Sequence, residues 1–320
     1  MATITKPSTS KTRIRRPRSS RPSTRLSAHI PTRSRRLTAS SPSYWAPKPQ
    51  PSTNPQRQQE QQTTIDLARL LHATLNPVFF AREFLGFHPE PAQEKLLRAS
   101  NPFKRIGLNC NRQWGKSTIA AILVAHRLYT HPGVTVLIVA PAGRQSGETL
   151  RKVEGFLVAL HLQLRPDGVN PDSLQLPNGS RVVALPAVDR TARGFSAVSM
   201  ILFDEAARVA DRVYLAFRPM LAVGGGDLII ISTPAGRRGF FYREMTATGK
   251  ASQEWFRHTG PVSECNNRID KDVLEEEMSK GDTYYRQEWL CEFIETGRYT
   301  FDEQLLHKIV KEQVEAYNWI

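Results

Sequence analysis

RIGLNCNRQWGKST, residues 105–118, decides the fold. Its first six residues form a short apolar run suited to a buried strand, and KSTIAAILVAHRLY (116–129) carries apolar residues at helical spacing. A strand that passes straight into a helix through Gly-Lys-Ser leaves backbone N–H groups unpaired at the helix start, where phosphate oxygens bind. Phosphate chemistry also needs an ammonium reaching the β/γ-phosphates and a hydroxyl for Mg²⁺. Lys116 and Ser117 fit those roles, with Gly115 at the turn and Thr118 beside them. The loop Cys110, Asn111, Arg112, Gln113 and Trp114 completes the cradle, with Trp114 read as packing rather than stacking on a base. Gly-Lys-Ser alone is a common chance match. The strand–loop–helix context gives it weight, although Cys110 stands where the first glycine of such a loop belongs.

Working outward, VTVLIVAP (134–141), SMILFDEA (199–206) and DLIIISTP (227–234) are near-continuous apolar runs separated by helical stretches such as GETLRKVEGFLVAL. Such runs belong to a parallel sheet covered on both faces. Asn178-Gly179 between apolar runs predicts a hairpin, and EWFRHTGP an edge strand. Before the loop, IDLARLLHATLNPVFFAREFLG and EPAQEKLLRAS read as helices; after Asp270, KDVLEEEMSKG, TYYRQEWLCEFIE and DEQLLHKIVKEQVEAYNW do too. The predicted fold is α/β, a P-loop sheet of the ASCE or RecA-like kind flanked by helices. It spans 63–260, between a disordered basic tail (1–62) and a helical linker region (261–320).

ILFDEA ends a buried strand with Asp204 and Glu205. Acids at the C-terminal end of a parallel strand face the crevice where ligands bind. Asp204 is expected to hold Mg²⁺ through water, and Glu205 to orient and deprotonate the attacking water. The bland alternative is a solvated pair of acids at a strand end. IIISTPAGRRG puts Ser232 and Thr233 at the end of the next strand. In helicase-like ATPases a segment so placed senses the γ-phosphate.

The net charge of +14 is concentrated: the first 60 residues hold 13 of the 44 Lys and Arg and one of the 30 acids, so the remainder is nearly neutral. A Pro/Ser/Arg-rich stretch with little apolar content cannot offset chain entropy. Three readings of it stand: an arm on nucleic-acid phosphates, an organelle transit peptide, or a stretch never translated because the start was assigned too far upstream. The three cysteines lack metal-site spacing and read as reduced thiols. No apolar run reaches membrane-spanning length.

Together these motifs resemble the ATPase part of the large terminase subunit, the DNA-packaging motor of tailed phages, from about Pro89 to Glu295. The resemblance implies that Arg112 within the loop, with Cys110 replacing glycine, is a terminase variant of the phosphate cradle. Gln93 in PAQEKLL is similar to the upstream glutamine that recognises adenine. Arg193-Gly194 resembles a motif proposed to supply an arginine finger in trans, a role that Arg112 could instead fill. Thr233 matches the coupling motif, and YYRQEWLCEFIE the segment leading to a nuclease. ATP and Mg²⁺ as cofactors, double-stranded DNA, a portal protein and the small terminase subunit as partners, and a homo-oligomeric ring in the host cytoplasm follow as expectations. With about 25 residues after Glu295, the nuclease half is expected to be absent. Rival readings are a helicase-like nucleic-acid-stimulated ATPase, an inactive prophage remnant, and a basic-armed DNA-binding accessory. Arg237 and Arg238 are the candidate DNA contacts.

Overall fold

Every apolar run read as a strand is one. The computed structural model describes residues 55–188, 190, 194–249, 253–265 and 268–295. The tail up to residue 54, Arg193, and the terminal helix expected over 302–319 lie outside the described residues. The strands are β1 (Arg105–Cys110), β2 (Thr135–Ala140), β3 (Ser173–Gln175), β4 (Arg181–Pro186), β5 (Met200–Asp204), β6 (Asp227–Ser232) and β7 (Trp255–Gly260). They form one sheet in the order β3-β4-β2-β5-β6-β1-β7. All pairs are parallel except β3–β4, the hairpin turned at Asn178-Gly179. The edge strand β7 pairs with β1 from Arg105↔Trp255 to Cys110↔Gly260.

The helices are α1 (Pro55–Leu75), a single turn α2 (Pro77–Phe79), α3 (Pro91–Ala99), α4 (Lys116–Thr130), α5 (Gly143–Ala159), α6 (Asp211–Phe217), α7 (Gly239–Thr246), α8 (Lys271–Ser279) and α9 (Asp282–Glu288). Residues 55–62, which by composition read as the end of the tail, are the first turns of α1. Strand alternation divides the core. Val136, Ile138, Met200, Leu202, Ile229 and Ile231 pack with α3, α4 and α5 on one face. Leu137, Val139, Ile201, Phe203, Leu228 and Ile230 pack with α6 and α7 on the other. Burial on both faces is why these strands read as unbroken apolar runs. None of the described helices is long and apolar enough to cross a membrane.

The helix expected through CEFIE stops early: α9 ends at Glu288. Cys291 takes a left-handed conformation (φ 61°), and its carbonyl accepts from the buried Asn109 amide at 2.8 Å. Phe293 packs on Phe241 and Tyr242. Continuing the helix would forfeit these contacts, so tertiary packing overrides local propensity.

Buried His126 ties α1 to α4, its ring Nε2 donating to Ala73 O at 2.9 Å. Burial, chiefly, lowers its pKa from the usual 6.5 to about 4. The unfolded chain therefore binds the extra proton between those values. The stability contributed by neutral His126 is complete above about pH 6.5 and lost progressively down to about pH 4, at about 1.4 kcal/mol per unit. Urea melts at pH 7 and 4.5 should show a smaller acid loss in His126→Gln than in the wild type; equal losses would refute the assignment.

Candidate active site at the strand ends of β1, β5 and β6

The parallel arrangement brings the C-terminal ends of β1, β6 and β5 to one edge of the sheet. β1 ends at Cys110, and the loop 111–115 delivers the chain to the first turn of α4. Gly115 has φ 88°, a left-handed conformation that side chains resist. A Cβ there would also come within 3.0 Å of Gln93 Nε2. Asn111 shapes the loop: its Oδ1 accepts from Gln113 N at 2.8 Å and its Nδ2 donates to Gly260 O at 3.0 Å. Cys110 is fully buried, and burial pushes its thiol well above the ordinary value. The residue in the glycine position thus points into the core. Gly260 makes room for it and for Trp114, since a Cβ at Gly260 would lie 2.6 Å from Cys110 Sγ and 2.5 Å from the indole.

Trp114 is 1% exposed and its indole N–H donates to Glu264 Oε2 at 2.7 Å. The ring packs, as expected, and the backbone carbonyl accepts from Gln93 and Arg268. Arg112 and Gln113 are exposed, while Gly115, Ser117 and Thr118 are half-buried at the head of α4. Gln93 on α3 is buried; its Oε1 accepts from Glu90 N at 3.0 Å and its Nε2 donates to Trp114 O at 2.9 Å. A carboxamide has two donors and two acceptor sites. Gln93 therefore braces the loop and keeps one donor and one acceptor.

Asp204 closes β5. Its Oδ2 accepts from Thr149 Oγ1 at 2.6 Å and its Oδ1 from Glu205 N at 2.9 Å. Burial raises its pKa, the Thr149 hydrogen bond and Lys116 acting against that. Glu205 sits at φ 52°, ψ 42°, a strained conformation for a residue with a side chain, of the kind that clusters at functional sites. Its Oε1 lies 3.7 Å from Lys116 Nζ, and its Oε2 accepts from Arg208 at 2.7 Å.

Arg208 is the hub that sequence reading missed. Besides Glu205, it donates to Thr233 Oγ1 at 3.1 Å and lies 3.8 Å from Glu288. Glu288 in turn pairs with Arg112 Nε at 2.9 Å. The structure thus brings Lys116, Glu205, Thr233 and Arg112 into one chain of charges and hydrogen bonds running from the loop to α9. Buried Ser232 Oγ and Asn109 Oδ1, on paired residues of β6 and β1 beside this chain, have no hydrogen-bond partner among the described residues. Arg237 is turned toward Phe293 O at 2.9 Å, and Arg238 is exposed ahead of α7. Thr149 and Glu288 carry no local signal of their roles; Arg208, one helical turn past Glu205, could have been flagged by that spacing.

Residues 109–308 match the model of the terminase large subunit, T4likevirus-type, N-terminal family. The large terminase subunit of Thermus virus P23-45 is 27% identical over 254 residues, covering 68% of this chain and 51% of its own. The chain therefore spans about half the length of this curated relative. Among solved structures, the ATPase domain of the Thermus phage P74-26 large terminase is 23% identical with a TM-score of 0.56, over 68% of this chain and 97% of that one. The large terminase of a thermophilic bacteriophage, in complex with ADP, is 13% identical with a TM-score of 0.53, over 71% and 53%. At these identities the structures establish a shared fold, whereas the family match takes in the loop, both acids and Thr233 at once. The chain belongs to the terminase large subunit family, as its N-terminal, T4likevirus-type part.

Proposed function

We propose that this chain binds and hydrolyses ATP with Mg²⁺ and uses the energy to translocate double-stranded DNA in viral genome packaging. The observation that carries the reading is the placement of Lys116 and Glu205 3.7 Å apart, with Asp204 at the adjoining position of β5. The phosphates would lie on the N-terminus of α4, where backbone N–H groups and Lys116 meet their charge. Glu205 would take the proton of the attacking water. Asp204 and the Ser117 hydroxyl are hard oxygen donors, two side chains only. Such a sparse set suits Mg²⁺, which is held by one or two protein oxygens together with substrate phosphates. Bound there, the ion would neutralise phosphate charge. Gln93, with one donor and one acceptor to spare, supports adenine as the base.

The family supports a packaging role, with portal and small terminase subunits as partners and a ring as the working form, in the host cytoplasm. The arginine finger is assigned to Arg193 or Arg112. Arg112 is already paired with Glu288 of its own chain, which favours Arg193. The test is steady-state phosphate release by the purified chain with and without linear double-stranded DNA. Turnover stimulated by the duplex is expected. Turnover stimulated only by single strands, with unwinding, would replace this reading with a helicase-like one.

A further inference from the structure

Two residues past β7, Glu264 and Arg268, grip the loop that leads from β1 into α4. Glu264 accepts the Trp114 indole N–H at 2.7 Å and also faces His258 Nε2 at 2.9 Å. Arg268 donates to the Trp114 carbonyl at 3.3 Å, beside the Gln93 amide on the same oxygen. The guanidinium is itself held as a fork by Glu90, Nε to Oε1 at 2.9 Å and a terminal nitrogen to Oε2 at 3.1 Å. Both polar ends of Trp114, the residue next to Gly115, are therefore fixed from outside the loop. The other end is pinned too, where Asn111 N and Nδ2 donate to Gly260 O at 3.1 and 3.0 Å.

A cradle works only if its N–H groups already point at the phosphates, since ordering a loop during binding weakens affinity. This loop carries bulky residues where glycines would let the backbone settle by itself. We propose that Glu264 and Arg268 are positioning residues for ATP binding: through Trp114 they hold the loop in its phosphate-accepting shape. The proposal rests on the reading of the loop as an ATP site.

Four variants of the full chain test it by ATP affinity, the split between KM and kcat, and Trp114 emission, taken for each chain as the difference from the same chain carrying Trp114→Phe as an added change. Glu264→Ala leaves the indole N–H buried without an acceptor. It should weaken ATP binding about tenfold, the scale of one good hydrogen bond, while kcat changes by less than about twofold. Trp114 emission should shift to the red as water reaches the ring. Glu264→Gln keeps an acceptor oxygen and should restore affinity and emission. Arg268→Ala should raise the Kd for ATP by a few-fold at a half-exposed position where folding is not at risk. Arg268→Lys, which loses the fork, should fall between it and wild type. Unchanged affinity in both alanine variants would overturn the proposal, as would a loss in Glu264→Ala that Glu264→Gln shares. Failure of the wild type to bind ATP would instead overturn the ATP reading, and this proposal with it.

Discussion

Lys116→Ala should abolish ATP turnover, by at least about 10²–10³-fold, the range for removing one preorganised charge from a transition state. Lys116 is 6% exposed, so its ammonium acts where water screens little. The neighbouring cations cannot take its place. Arg208 is committed to Glu205, Thr233 and Glu288, and Arg112 to Glu288. ATP binding should weaken as well, because the phosphate charge loses its partner. The fold should persist, since Glu205 keeps its bond to Arg208 after the lysine is gone. Phosphate release and thermal melting of the same preparation check both halves. Wild-type turnover in the variant would sink the phosphate-loop reading outright.

Glu205→Gln should separate binding from chemistry. The amide oxygen still accepts from Arg208, and the strained backbone at φ 52° is no worse for glutamine than for glutamate. What disappears is the ability to accept a proton from water, and general-base catalysis contributes about 10²–10⁴-fold. Turnover should fall by that amount while ATP affinity, read by direct titration, stays within a few-fold of wild type. Near-normal hydrolysis would show that another group deprotonates the water. A parallel collapse of ATP binding would show that Glu205 builds the pocket rather than serving as base.

The strands, most helices and the loop are legible in the sequence because their signals are local. Apolar runs bounded by turn residues, helical spacing after Lys116, and an Asn-Gly turn each act over a few residues. Asp204-Glu205 can be read the same way, from acids closing an apolar strand. Local reasoning fails where distant parts compete for the chain. The expected helix through Cys291 gives way to a bond with Asn109, 182 residues earlier. Helix α1 also starts at Pro55, inside the stretch that reads as tail, because its Gln-rich start has no apolar face to reveal it.

The sequence by itself determined that this chain builds a two-faced parallel sheet with a Gly-Lys-Ser loop opening a helix and a pair of acids on one edge. Only the tertiary structure decided what surrounds them. Thr149 meets Asp204 across 55 residues, Arg112 meets Glu288 across 176, and Trp114 meets Glu264 across 150. The strand order places β6 between β1 and β5, and β7 beside β1, so that these side chains converge. A charge or a hydrogen-bond donor names no partner in its own neighbourhood of sequence. Its partner is settled by which surfaces the core brings together, and that is a property of the folded whole.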